Sequence, residues 1–330
     1  MQYRKFGRTD LMVSEIGFGA WAIGGGAKVG ETAIGWGKAD DALSEKAIHA
    51  ALDAGINFFD TADFYGLGHS ETLLGRTLTG KPDSLIASKV GHRSIGDQIV
   101  LDYSKEYIIQ ACEESLKRLQ REAIDYYQLH SARIKHLEQG DCIEAMDLLK
   151  QQGKIRYWGL SLNTFQPQPE GEFLMQNHAG DGFQLVFNVI NQRADELISQ
   201  ASEQGYGIIA RMPLQFGLLT GKFSSNTKFS EDDHRSFRLT PTIMRKSIEV
   251  LEEKVWPIAQ SGRMTKTELA LRFILTHPGV STVIAGIRTP EHVASNTSNT
   301  SKLQDIHYRY LRSLAGQDWK PIMELMEKQG

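Results

Sequence analysis

Eight short β-rich runs recur along the chain, separated by segments of helical pattern. They read SEIGFGA (14–20), INFFDTA (56–62), SLIASKV (84–90), IDYYQLH (124–130), IRYWGLS (155–161), FQLVFNV (183–189), GYGIIARM (205–212) and VSTVIAGI (280–287). Each is nearly continuously apolar rather than alternating, the pattern of parallel strands covered on both faces. Eight such runs alternating with helices predict an α/β fold, a (β/α)8 TIM barrel. A doubly wound open sheet is the competing fold. It requires Gly-x-Gly-x-x-Gly after the first strand, and GFGAWAIGGG (17–26) fails that spacing. A length of 330 residues suits two average domains, yet a closed barrel uses it as one. No low-complexity linker divides the chain, so residues 1–330 are read as a single barrel domain.

The connecting segments carry helix signatures. SEKAIHAALDAG (44–55) puts Ala47, Ile48, Ala51 and Leu52 on one face and stops at Gly55. SKEYIIQACEESLKRLQ (104–120) does the same with Ile108, Cys112, Ser115 and Leu119. Asp141 with Glu144, and Thr265 with Glu268, stand in capping-box spacing at the starts of 141–153 and 265–278. In 165–178, Pro167 and Pro169 argue against a helix start. Outside the repeat, the first residues predict a hairpin around 7–10 that closes the barrel floor. The 24–37 stretch, with six glycines and Trp36, and the 213–240 stretch are loops too long for plain connections. The tail, about 301–330, reads as helical and packs across the barrel.

Composition narrows the partners. Lys+Arg 37 against Asp+Glu 40 gives a net charge of -3, too even to favour nucleic acid or an anionic membrane. No apolar run approaches the ~20 residues of a membrane span, and the N-terminus lacks a signal-peptide core. Only Cys112 and Cys142 occur, both in helical stretches, so the expected compartment is the reducing cytoplasm.

In a (β/α)8 barrel, chemistry collects at the C-terminal ends of the strands. Consecutive runs end there on Asp60, Lys89, His130 and Ser161, and Tyr65 follows in the loop past Asp60. Polar groups ending apolar strands are costly unless paired, and an Asp and a Lys on adjacent strands can pair. As a set they suit proton transfer to a carbonyl oxygen. A tyrosine titrates near ~10, a lysine cation beside it stabilises the phenolate and lowers that value, Asp60 holds Lys89 charged, and His130 hydrogen-bonds the carbonyl. Taken alone, each residue has a plainer reading as a structural ion pair or capped strand end.

These residues stand in motifs that resemble the aldo-keto reductase family. GINFFDTADFYG carries the family's Asp-Thr-Ala-x-x-Tyr-Gly, while LIASKVG and DYYQLH carry its Lys and His. The resemblance runs from GFGAW (17–21) to VIAGIRTPEHVASN (283–296), nearly the whole chain, and is nearest the bacterial branch with a glycine-rich first loop. It implies an NADPH-dependent oxidoreductase reducing small aldehydes or ketones, the cofactor held without a Rossmann fold. Tyr65 is then the general acid, Lys89 and Asp60 its tuning pair, and His130 the group that orients the carbonyl.

The resemblance also implies cofactor contacts. Ala20 and Trp21 line the nicotinamide and substrate pocket, and Ser161 and Gln184 bind the carboxamide. Leu162 stands where the family has Asn, leaving Asn163 one position out of register. Arg211 replaces a stacking aromatic; it either lies against the ring or points to the pyrophosphate. Met212, Pro213, Leu214, Gly217 and Lys222 match the pyrophosphate-covering loop, with Arg235 a weaker member. Gly286, Arg288, His292 and Asn296 fall on phosphate and adenine positions. There Arg288 suits a bidentate pair with a 2′-phosphate at a helix N-terminus, so NADPH is expected over NADH. His92 is expected at the pocket rim, and Asp63 as a loop cap or solvent-facing residue. Trp36, Phe64, Phe216 and Trp319 either line a substrate pocket or pack. No metal-ligand spacing occurs. Oligomeric state stays open, a monomer being favoured. Two other functions compete: an NADPH-binding regulatory barrel similar to potassium-channel β-subunits, and a Schiff-base lyase using Lys89, which needs that lysine neutral.

Overall fold

The computed structural model describes residues 1–35, 37, 39–230, 233 and 235–329, with Ala33 described by its backbone alone. Trp36 lies outside the described residues. The chain opens on an antiparallel hairpin, β1 (Tyr3–Lys5) and β2 (Met12–Ser14), before β3 (Ile16–Gly19) begins the barrel. A ribbon of β4 (Gly26–Val29) and β5 (Thr32–Gly35) occupies the glycine-rich loop. Next come β6 (Phe58–Asp60) and β7 (Leu85–Val90), then a second ribbon, β8 (His92–Ile95) and β9 (Gln98–Leu101). The remaining strands are β10 (Ile124–His130), β11 (Ile155–Ser161), β12 (Gly182–Val186), β13 (Gly207–Arg211) and β14 (Thr282–Gly286). β3, β6, β7 and β10–β14 form a closed parallel barrel, the (β/α)8 fold expected from the eight runs.

Side chains alternate between the two faces of a strand, and this alternation builds the interior in layers. Phe58, Ala87, Tyr126, Ile209 and Ile284 form an apolar lower layer around Phe6, Leu11 and Val13 of the hairpin. The hairpin therefore plugs the floor. Phe6 is fully buried, with its ring centroid 4.9 Å from that of Tyr126. Burial of such a side chain contributes about 1.5–3 kcal/mol. Gly7, at φ 54, and Gly207 are glycine for one reason: a Cβ at Gly7 would strike the backbone at Gly205–Gly207, and one at Gly207 the ring of Phe6. Two residues further along the same strands the layer turns polar, with Asp60, Lys89, Gln128 and Arg211. One step out of phase, Phe59, Ile86, Tyr127 and Leu129 face the helices and join the main core.

Several local expectations need correction. Thr265 and Glu268 form their capping box, but Asp141 does not cap with Glu144. Gly140 is the cap residue, at φ 89, and Asp141 is already inside the helix Asp141–Gln151. Pro167 and Pro169 do not prevent a helix; Gln168–Gln176 starts there, because a proline in the first turn removes only an N–H that has no helical partner. In the tail, helices Asp305–Leu314 and Lys320–Glu327 flank Trp319, which is fully buried and packs rather than lining a pocket. No helix among the described residues is long and apolar enough to cross a membrane.

Candidate active site

The barrel register aligns the polar strand ends at one rim. Gly19 stands beside Asp60 and Gly286, His130 beside Ser161, and Ser161 beside Gln184. Asp60 and Lys89 are buried, and Lys89 Nζ donates to Asp60 Oδ1 at 2.6 Å, to the Thr61 carbonyl at 2.8 Å and to Tyr65 Oη at 3.1 Å. All three ammonium protons thus have acceptors. The other carboxylate oxygen of Asp60 accepts from Gln184 Nε2 at 2.7 Å and Gln128 Nε2 at 3.1 Å. Gln128 escaped the sequence reading, although it precedes His130 by two residues and so shares its face.

Burial alone would strip charge from Lys89, but Asp60 and then Tyr65 outweigh it and hold the ammonium above the ordinary lysine value. For Tyr65 the sequence expectation is reversed. Burial raises its pKa by more than Lys89 lowers it, so the phenol sits above its ordinary value and keeps its proton. His130 is pushed well below the usual histidine range by burial, then by His92, Lys89 and Arg211, and is a neutral imidazole. Its carbonyl accepts from Tyr103 Oη at 2.6 Å, and its ring stands edge-on to Tyr65 with centroids 6.0 Å apart.

A stability consequence follows from the depressed histidine. In the unfolded chain His130 takes up a proton near ~6.5, and in the folded protein only at lower pH. Stability is therefore complete above about pH 6.5 and falls as the pH drops below it, by up to about 1.4 kcal/mol per pH unit for one histidine. The midpoint of urea unfolding is expected to fall between pH 7 and 5, and His130→Gln to flatten that slope; an equal slope in both proteins would contradict it.

The cofactor-side residues divide. The Trp21 ring lies 6.2 Å from that of Tyr65, and the Ala20 carbonyl accepts from Ser70 Oγ at 3.0 Å. Ser161 lies at the end of β11 as expected. Gln184 Nε2 is engaged by Asp60, which leaves its Oε1 as the atom to accept from a carboxamide. Asn163 Oδ1 accepts from the Phe165 and Gln166 N–H groups, both at 2.9 Å, so only its Nδ2 is left to meet a carboxamide. Arg211 Nη1 donates to Met212 Sδ at 3.2 Å. Its Nη2 crosses to the Leu162 carbonyl and Thr164 Oγ1, both at 3.1 Å, so the guanidinium bridges the ends of β13 and β11. Burial lowers it against the opposing pull of Tyr65 and Asp60, which places it beside that pair.

Beyond β13 the loop is held in an unusual backbone path. Met212, Phe216 and Gly217 have φ of 55, 55 and 98, and the Met212 carbonyl accepts from Asn188 Nδ2 at 2.9 Å. Pro213 and Leu214 lead into this turn. Phe216 packs with Arg238 over its ring at 5.3 Å. Arg235, the weaker candidate, is paired with Asp233 at 2.5 Å and lies over Phe229.

At the end of β14, Gly286 is exposed with open space where a Cβ would point. Thr289 caps the helix Pro290–Thr297 by accepting from the His292 N–H. Burial, then Lys222 and Arg288, keep His292 below the ordinary histidine value, so both cations face this helix start. Asn296 is buried with an Nδ2 that meets no partner among the described residues. Two cations, a helix N-terminus and an orphaned amide fit a phosphorylated nucleoside. Asp63 is only partly exposed: its Oδ1 is buried without a partner among the described residues, and burial, followed by Glu71, raises its carboxyl well above the usual range. His92 packs edge-on to His130, with centroids 4.4 Å apart.

Comparison with known proteins agrees with this geometry. The model of the aldo/keto reductase family matches residues 15–315. Aldo-keto reductase YhdN of Bacillus subtilis is 30% identical over 330 residues, covering 93% of each chain. The glycerol dehydrogenase AKR11B4 from Gluconobacter oxydans superposes with a TM-score of 0.82 at 28% identity, covering 96% of both chains. A probable voltage-gated potassium channel subunit beta of Arabidopsis thaliana is 26% identical over 321 residues, 90% of each chain. With the barrel, its polar rim and a match spanning nearly all of its length, the chain belongs to the aldo/keto reductase family, whose members work with nicotinamide cofactors.

Proposed function

We propose that the protein is an NADPH-dependent reductase of small aldehydes and ketones. The observation that carries the reading is Lys89 Nζ, bonded at once to Asp60 Oδ1 and Tyr65 Oη. A bound reduced nicotinamide supplies the hydride. Tyr65, kept protonated by burial, donates its proton to the carbonyl oxygen. Lys89, held charged by Asp60, stabilises the phenolate left behind. His130, being neutral, offers an N–H to the same oxygen without adding a cation beside Lys89. The charged state of Lys89 argues against the Schiff-base reading, which needs a free amine.

On this reading Ser161, Trp21 and Arg211 would meet the nicotinamide, while Lys222, Arg288, His292 and Asn296 would hold the adenosine end. Arg288→Ala is expected to weaken NADPH by about tenfold through loss of a charge-assisted phosphate pair, leaving NADH unchanged. Titration of cofactor fluorescence checks this, and equal weakening of both cofactors would count against a 2′-phosphate contact. The channel-subunit relative keeps a regulatory reading in play. That reading expects bound NADPH to persist when a small aldehyde such as propanal is added; the reductase reading expects it to be oxidised.

A further inference from the structure

On the flank of the barrel, behind the loop that carries Tyr65, lies a cavity of about 240 Å³ walled by Asp63, Phe64, His92, Tyr107 and Arg118. Ser94, Gln110 and Glu114 at its rim are exposed, so solvent reaches it between the β8–β9 ribbon and the helix Lys105–Leu119. None of these residues is a candidate cofactor contact. The inner wall meets the active site, because His92 packs against His130 and His130 against Tyr65. Asp63 Oδ1, His92 Nδ1 and His130 Nδ1 are all buried, and none has a hydrogen-bond partner among the described residues. One unpaired buried polar atom costs about 1–3 kcal/mol. Three of them between an open cavity and the proposed acid point to water as their shared partner, which a polar cavity of this size accommodates.

We propose that this cavity is a proton entrance separate from the substrate mouth, with Asp63 anchoring its water and His92 passing protons from that water to His130 and on to Tyr65. The inference rests on the reductase reading, which requires such a supply. In each turnover the carbonyl carbon gains hydride and its oxygen gains the Tyr65 proton, so the alcohol leaves and a phenolate remains. One proton from solvent must then restore the phenol. His92, like His130, is held below the ordinary histidine value by burial, so both are neutral rings with one N–H and one lone pair, able to accept at one nitrogen and release at the other. Around Asp63 stand Glu71 and Arg118 from the two flanking helices, Lys89 from β7, Tyr127 from β10, and Tyr103 and Tyr107. Burial and Glu71 dominate this set and raise the Asp63 carboxyl well above the usual range.

His92→Phe keeps a ring against His130 and removes the relay. In cofactor-free protein labelled with 15N-histidine, exchange of the His130 ring N–H with water, read by NMR, is expected to slow by about tenfold, and unchanged exchange overturns the proposal. In turnover with NADPH and propanal, His92→Ala is expected to lose about tenfold in kcat with KM and cofactor affinity unchanged, short of the roughly hundredfold of a directly acting acid. Added imidazole should restore that kcat in proportion to its concentration. A kcat within about twofold of the wild type, or a loss that imidazole does not repair, overturns the proposal. If the wild-type protein reduces no carbonyl compound while exchange still depends on His92, the reductase reading is what fails, and an entrance for catalytic protons falls with it.

Discussion

Replacing Tyr65 with Phe is expected to lower carbonyl reduction by at least about 10³-fold while leaving NADPH affinity within about twofold. The ring stays packed between Trp21 and His130, so the pocket keeps its shape. Lys89 loses one acceptor but retains Asp60 and the Thr61 carbonyl, so the cation remains paired. Only the proton is gone, and neither His130, depressed and neutral, nor Lys89, raised by Asp60 and Tyr65, is placed to replace it at neutral pH. Steady-state kinetics beside a fluorescence titration of NADPH separates the two effects. A variant that kept most of its turnover would remove Tyr65 from the mechanism, and one that lost cofactor binding would make it a structural residue.

Lys89→Met is expected to cost fold as well as chemistry. It leaves Asp60, 1% exposed, without its cation. Breaking a buried pair on one side typically costs about 3–5 kcal/mol, whereas removing both charges together is often close to neutral. Gln128 and Gln184 still donate to Asp60, which places the expected loss at the lower end, about 3 kcal/mol. Combining Asp60→Asn with Lys89→Met should recover most of that stability in urea unfolding but none of the turnover. Equal stability of the single and double variants would mean that the loss does not come from an unpaired charge on Asp60.

The strands were legible because both of their faces are buried, which writes them as unbroken apolar runs such as SLIASKV. The polar residue ending each run then marked the rim. The ribbons β4–β5 and β8–β9 were not, because they are short, polar and partly exposed, and glycine there signals a loop and a tight turn equally well. Ionisation was legible only in part. Neighbouring residues gave the pull of Lys89 on Tyr65, but the larger opposing effect is depth, and depth is a property of the closed barrel. The surroundings of Gln184 and Asp63 were not legible for a similar reason. Each has a polar side chain whose use depends on which way it turns, and the fold brings Asp60 to the first and a flank cavity to the second.

The hairpin that plugs the barrel floor also sets the order in which the molecule can be finished. Arg4 donates to the carbonyls of Leu275 and Val280, and the Ser14 carbonyl accepts from Thr282 Oγ1. These contacts join segments more than 260 residues apart, so they form only after residues 275–282 have been made. Contacts between such distant segments form slowly and leave intermediates open to aggregation, so a chain truncated before β14 lacks its last stave and the bonds from Arg4 and to Ser14 that tie the hairpin to that end of the barrel.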